Sequence, residues 1–243
     1  MDYQLDDGAG GGTRLGMVVL STDETLEFEA RQVFAGRNLN LMHARIPFEP
    51  AVTPETLHAM KARIADTAAL LPGGLRVVAY GCTSASVVIG PDVVAGEVRR
   101  AHPGVAVTDP ITAVGVALSA LNARRIALVT PYLARVARPM RDHLAAQGTE
   151  TVSAICFGEG DDRRVARIAE ASTLAAVLGA GRADGVEAVF ASCTNLRAFG
   201  LIEEAEAILG VPVISSNLAM IWHMLRLAGV DARGWGPGRL FAL

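Results

Sequence analysis

Lysine is almost absent from this chain. Lys61 is the only one, and every other basic residue among the 22 is arginine. A pyridoxal enzyme needs a Schiff-base lysine beside its substrate, and Lys61 falls inside a helix-like segment far from any strand end, so pyridoxal chemistry is not expected. No Gly-Lys-Ser/Thr sequence exists, which excludes a P-loop. The run Gly8-Ala9-Gly10-Gly11-Gly12 follows no strand. It is therefore no dinucleotide fingerprint, and residues 1–13 read as a flexible leader. Cysteine is scarce too: three residues cannot all pair, and a chain of 243 residues needs no staples, so free thiols in a reducing cytoplasm are expected. No apolar stretch approaches the ~20 residues of a membrane span, and the N-terminus lacks a signal-peptide pattern. A net charge of −3 without a basic face argues against nucleic acid as a partner. The five histidines, His43, His58, His102, His143 and His223, have no ligand-like spacing, and no metal is expected.

What the chain does have is alternation. Half of it is apolar and 19% is charged, as in a folded protein with a sizeable core. Strand-like segments at 14–20, 38–45, 76–80, 105–108, 125–130, 151–157, 186–191 and 211–214 are separated by helix-like ones at 23–34, 54–70, 91–101, 111–122, 133–147, 163–178, 196–209 and 217–227. Ser21-x-x-Glu24 reads as a capping box for the first helix. Strands joined by helices imply right-handed βαβ crossovers and parallel sheets covered on both faces. The expected fold is α/β with two pseudo-symmetric Rossmann-like halves, 14–122 and 123–243. The helix at 217–228 is able to pack back on the first half, and the active site is expected in the cleft between the halves.

Two segments share one design. Val77-Val78-Ala79-Tyr80-Gly81-Cys82-Thr83-Ser84 and Ala188-Val189-Phe190-Ala191-Ser192-Cys193-Thr194-Asn195 each run from an apolar strand through a small residue to cysteine and threonine. Open α/β sheets place their ligands at strand carboxyl ends, and helix starts there favour an anion. Cys82 and Cys193 are thus candidate catalytic thiols facing one small substrate, whereas Cys156, inside its strand, reads as core. Thr83, Ser84, Thr194 and Asn195 offer hydroxyls and backbone N–H groups for a substrate carboxylate or a developing enolate; they are also good helix caps. Tyr132, after Thr130-Pro131, brings a phenol to another strand end.

These motifs, with Asp161-Asp162-Arg163 running into Val165-Ala166-Arg167-Ile168, resemble the aspartate/glutamate racemase superfamily, in its branch of maleate cis–trans isomerases and arylmalonate decarboxylases. Ser21-Thr22-Asp23-Glu24-Thr25 beside Gly81-Cys82-Thr83-Ser84-Ala85-Ser86 is most similar to the member associated with ectoine utilisation. The resemblance spans Leu15 to Leu227. It implies a cofactor-independent two-cysteine racemase or isomerase of a small carboxylate that forms a homo-oligomer, with Tyr132 in the site. In that branch one cysteine acts as thiolate base or nucleophile and the other handles a proton; helix N-termini are expected to lower the thiol pKa values. Maleate isomerisation, malonate decarboxylation and cofactor-free ligand binding without catalysis are the alternatives. Arylmalonate decarboxylases resembling this chain carry glycine in place of the first cysteine, so Cys82 argues against decarboxylation. Maleate isomerases carry asparagine where this chain has Asp23 and Asp162, and two carboxylates suit a cationic, amino-acid-like substrate better than a dicarboxylate. The same two aspartates are also fitted to cap the helices beside them.

Overall fold

The apolar runs become central strands because both of their faces are covered. In the computed structural model, which describes residues 1–6, 8 and 11–243, β1 (Thr13–Leu20), β2 (Leu39–Ile46), β3 (Val77–Gly81) and β4 (Ala106–Thr108) form one parallel sheet in the order β2-β1-β3-β4. A second parallel sheet contains β5 (Arg125–Thr130), β6 (Glu150–Cys156), β7 (Ala188–Ala191) and β8 (Val213–Ser215) in the order β6-β5-β7-β8, the same topology. Part of the glycine-rich leader lies outside the described residues. All five residues of β3 and all four of β7 are buried, as expected of strands sandwiched between helical layers.

The helices of the first half are α1 (Leu26–Phe34), α2 (Pro54–Ala59), α3 (Lys61–Ala68), α4 (Thr83–Ile89), α5 (Pro91–Ala101) and α6 (Pro110–Ala120). Those of the second are α7 (Ala134–Ala146), α8 (Asp162–Val165), α9 (Glu170–Gly181), α10 (Ile202–Leu209) and α11 (Ser216–Leu227). Helix α11 follows β8 but packs chiefly on α6, with further contacts to β3 and β4. One apolar cluster runs from Leu15 and Met17 of β1 to Val129 of β5 and Phe190 of β7. A second joins Val18, Tyr80 and Cys82 to Tyr132, Cys193 and Leu196. The two sheets therefore share their core. In each, the winding changes side between the first and third strands, β1/β3 and β5/β7. The crevice outside the carboxyl ends of such strands is where doubly wound sheets hold ligands.

Several boundaries differ from the expectation. The helix expected over 54–70 breaks at Met60, and its capping box is made by Thr53 and Thr56, each accepting the other's backbone N–H at 3.2 and 3.0 Å. Ser21 makes no such box. It still continues the sheet, donating its N–H to Ile46 O, and its hydroxyl accepts from Phe48 N–H at 3.0 Å. Helix α1 instead begins at Leu26, where Asp23 Oδ1 accepts the N–H groups of Thr25 and Leu26, both at 2.8 Å. The helix expected over 163–178 breaks into α8 and α9. After Cys193 no helix starts until the 3-10 turn Phe199–Leu201 and α10, whose start is capped by the Glu29 carboxylate accepting the N–H groups of Ala198 and Phe199. Cys156 lies half-buried on the edge strand β6.

Candidate active site

Each strand carboxyl end at the two switch points delivers one group. Cys82 leaves β3 in extended backbone and caps α4, its sulfur accepting from Ala85 N–H at 3.4 Å. The preceding Gly81 permits this tight exit: a Cβ there would lie 2.5 Å from Leu26 Cδ2 and 3.0 Å from Val18 O. Cys193 leaves β7 with φ of +128°, a conformation that a side-chain-bearing residue adopts at a cost of roughly 1–3 kcal/mol, and one seen where function requires it.

The surrounding loops hold that strain. Ser216, at the start of α11, accepts from Cys193 N–H at 3.0 Å and from the Thr83 hydroxyl at 2.8 Å. The Thr194 hydroxyl reaches Gly81 O at 3.4 Å, so the residue after one cysteine touches the residue before the other. Asn195 N–H donates to Cys193 Sγ at 3.3 Å. Its amide is fully occupied: Nδ2 donates to Thr22 O, Asp162 O and Asp162 Oδ2 at 3.2, 3.0 and 3.1 Å, and Oδ1 accepts from Glu24 N–H at 2.9 Å. Asp162 is equally engaged, accepting from the Thr22 hydroxyl at 2.5 Å and from the Tyr132 phenol at 3.2 Å. Tyr132 lies 3.0 Å from Cys193 Sγ.

All nine residues singled out in the sequence therefore fall in one neighbourhood, but they divide by availability. Asn195 and Asp162 are saturated by protein partners. Asp23 Oδ2 and Ser84 Oγ are buried without a partner of ordinary hydrogen-bond geometry, although the Thr194 side chain lies near enough to Asp23 to hold its pKa down in part. Sequence reasoning missed Ser216, Thr22 and Glu29. Glu29 is buried in α1, where it accepts from Asn217 Nδ2 at 2.6 Å; the same amide donates to Thr194 O at 2.8 Å. Thr22 lies within the Ser21–Thr25 stretch but was given no role there, and no local motif marks Ser216 or Glu29.

Both thiols are enclosed, Cys82 at 5% and Cys193 at 4% exposure. Burial pushes Cys82 up to about 12, helped by the charges of Asp162 and Asp23 and only partly offset by the N–H groups of Ala85 and Ser84. Burial, then Asp162, raise Cys193 well above its ordinary 9.0. The expected lowering by helix N-termini is thus outweighed: α4 is short, Cys193 has no helix after it, and desolvation of a thiolate dominates. Burial also lifts Asp23 to about 6 against the N–H groups of Leu26 and Thr25. Outside the thiols, a cleft of about 420 Å³ is lined by Thr22, Asp23, Arg45, Phe48, Arg163 and Arg167 among others. Arg45 donates to Asp23 O at 2.9 Å, and Arg167 pairs with Glu24 at 2.7 Å. Among the described residues no group of three or more His, Cys, Asp or Glu is placed to hold a metal, and no helix is long and apolar enough to cross a membrane.

This pairing of thiols at equivalent strand ends agrees with a family match: the model of the arylmalonate decarboxylase family fits residues 15–241. The chain belongs to that family. Among its arylmalonate decarboxylase-family relatives, the maleate isomerase of Nocardia farcinica is 29% identical over 251 residues, covering 95% of this chain and 96% of its own. The arylmalonate decarboxylase of Bordetella bronchiseptica is 33% identical over 196 residues, 79% of this chain and 82% of its own. Among solved structures, the Nocardia farcinica maleate cis–trans isomerase, as a cysteine-to-serine mutant with a covalently bound succinylcysteine intermediate, superposes with a TM-score of 0.83 at 27% identity, covering 95% of this chain and 98% of that one. The maleate isomerase Iso from Pseudomonas putida S16 superposes with a TM-score of 0.85 at 25% identity, covering 95% and 98%. This family member is an enzyme, and its architecture is that of the isomerases.

Proposed function

We propose that the enzyme is a cofactor-independent isomerase or racemase of a small carboxylate, with Cys82 and Cys193 as its two catalytic thiols. The observation that carries this reading is the pair of buried cysteines at equivalent strand ends, with Ser216 joining the Cys193 backbone to Thr83, the neighbour of Cys82, and both thiols subject to the same two carboxylates. In a racemisation, the thiolate of Cys82 takes the proton next to the substrate carboxylate, and Cys193 returns its own proton to the opposite face. In a cis–trans isomerisation, the Cys82 thiolate adds to the double bond, rotation follows about the new single bond, and elimination restores the alkene and the thiolate. Either route needs ionised Cys82. With its pKa near 12, ionisation in the enclosed site costs on the order of 7 kcal/mol at neutral pH, so proton loss is coupled to substrate binding. Ser84 Oγ, which has no protein partner, stabilises the substrate carboxylate and the enolate that grows from it, while Thr83, Thr194, Asn195 and Tyr132 hold the two thiols and the backbone around them in place.

The buried Asp23 carboxyl, with Asp162 beside it, favours a substrate with a cationic or donor group, amino-acid-like and compatible with a step in ectoine degradation. The arginine-lined cleft outside would draw the carboxylate in. Maleate isomerisation is the second reading, favoured by the isomerase relatives, and retention of Cys82 counts against malonate decarboxylation. The comparison that separates the first two is turnover of maleate against a panel of amino acids, with deuterium exchange, by the wild type and Asp23→Asn. Amino-acid exchange lost in Asp23→Asn supports the cationic substrate; brisk maleate isomerisation by the wild type overturns it. The reading includes a cytoplasmic homo-oligomer, and Phe28, Leu70 and Ile208 are large apolar side chains left exposed. A concentration-independent monomer mass in light scattering would remove that part.

A further inference from the structure

Glu29 is a buried carboxylate that the chemistry above does not use, and it stands where α1, α11 and the exit of β7 meet. Its Oε1 accepts the backbone N–H groups of Ala198 and Phe199 at 3.3 and 3.1 Å, and its Oε2 accepts from Asn217 Nδ2 at 2.6 Å. The same nitrogen donates to Thr194 O at 2.8 Å. A carbonyl oxygen can only accept, so the Asn217 atom that faces Thr194 is the amide nitrogen. Asn217 Oδ1 is buried without a hydrogen-bond partner. The amide is therefore turned by the two acceptors on its nitrogen, at the expense of its own oxygen. Thr194 C=O and Asn195 N–H belong to one peptide unit. Asn217 holds one end of that unit, and the other end points at Cys193 Sγ at 3.3 Å. The matching donor at Cys82, Ala85 N–H, is oriented by α4 itself, but no helix follows Cys193 directly. We infer that Glu29 is a positioning residue for Cys193: through the Asn217 amide it fixes the Thr194–Asn195 peptide whose N–H faces the sulfur. A bond accepted at the carbonyl end also polarises the peptide and strengthens its N–H as a donor. That N–H acts to lower the Cys193 pKa against the larger effect of burial.

The importance of Cys193 rests on the two-thiol reading above, but the hydrogen-bonded path to its sulfur does not, and the test needs no substrate. With Cys82 and Cys156 replaced by serine, the rate of Cys193 alkylation by iodoacetamide at a fixed alkaline pH reads its thiolate fraction. Glu29, whose carboxyl burial lifts to about 7, is ionised at that pH. Glutamine keeps the side-chain length but has one acceptor oxygen. With that oxygen on the N–H groups of Ala198 and Phe199, its amide nitrogen meets Asn217, which turns its unpartnered oxygen to it and withdraws its donor from Thr194. Glu29→Gln and Asn217→Ala are each expected to slow alkylation about three- to tenfold. Both act along one path, so the double variant should be no more than about twofold slower than the slower single one. Mere structural loosening would open an enclosed thiol and speed the reaction. Unchanged or faster alkylation in Asn217→Ala would therefore overturn the inference, as would single effects that multiply in the double variant. If Glu29→Gln does not fold, Asn217→Ala decides alone, with a second sign from its backbone amide proton spectrum in the otherwise wild-type protein. The Asn195 resonance is expected to move upfield as its bond to sulfur weakens, while that of Ala85, the donor to Cys82, stays in place. An unmoved Asn195 resonance, or equal movement of both, would also overturn the inference. Failure of the two-thiol reading would show instead as absent turnover with these rates and shifts as expected.

Discussion

Cys82 and Cys193 end strands of the same rank in two sheets of the same order, yet the two exits are built differently. The first is local. Cys82 has ordinary extended backbone, caps the helix that follows, and its carbonyl receives the Ser86 hydroxyl at 2.7 Å. The second is held from a distance. Cys193 has a φ of +128°, no helix behind it, and a loop pinned by Glu29 of α1, by Asn217 and Ser216 of α11, and by Asp162 through Asn195. A strand end backed by its own helix needs little help, while one without a helix is held by groups distant in sequence, Glu29 of the first half and Asp162, Ser216 and Asn217 of its own. The repeated topology thus supplies two similar positions, reached by two differently built exits.

The largest effect should come from the thiols themselves. Cys82→Ser and Cys193→Ser are each expected to lower kcat by at least about a thousandfold, with thermal unfolding close to wild type. Near-full activity in either variant would leave one cysteine working alone and would end the comparison as a catalytic one.

Next come the supports. Glu29→Ala strands the N–H groups of Ala198 and Phe199 and the Asn217 amide, and is expected to cost about 2–4 kcal/mol in urea unfolding, against about 1 kcal/mol for Ser86→Ala beside Cys82. Burial lifts Glu29 from 4.5 to about 7 despite the donors from Asn217, Phe199 and Ala198. The folded chain therefore holds this proton more tightly than the unfolded one. Its contribution to stability is complete below about pH 4.5 and is lost as pH rises through about 7, a loss on the order of 3 kcal/mol. Glu29→Gln should flatten the fall in stability between about pH 5 and about pH 8; parallel curves for the two proteins would show that Glu29 does not titrate there.

The smallest effect concerns the backbone alone. Glycine adopts positive φ without penalty, so at Cys193→Gly the relief of backbone strain should offset part of the loss of the buried side chain. Cys82→Gly, at an ordinary φ, should lose about 1 kcal/mol through added freedom of the unfolded chain. Equal melting shifts for the two would mean that the strain at Cys193 is absent in solution.

The strands were legible in the sequence because burial on both faces leaves uninterrupted apolar runs such as Val77–Tyr80 and Ala188–Ala191, and their ends marked Cys82 and Cys193. The capping of α1 was misread because Ser21 and Asp23 are both plausible caps, and only pairing of Ser21 with the β2 exit decides between them. The direction of the thiol shifts was misread for another reason: a strand end and a helix start can be seen locally, but enclosure cannot, and enclosure is the stronger effect here. Ser216 and Glu29 were invisible because their partners lie more than 130 residues away, brought close by two sheets that share a core.

Helix α11 carries a consequence of another kind. By chain order it closes the second repeat, but its body lies on α6 beside β3 and β4 while its first residue holds Cys193. The two repeats are symmetric as strands and interlocked as helices. In the present molecule that placement ties the two halves together: a movement of the first half that carries α11 also carries the hydroxyl that accepts from Cys193 N–H.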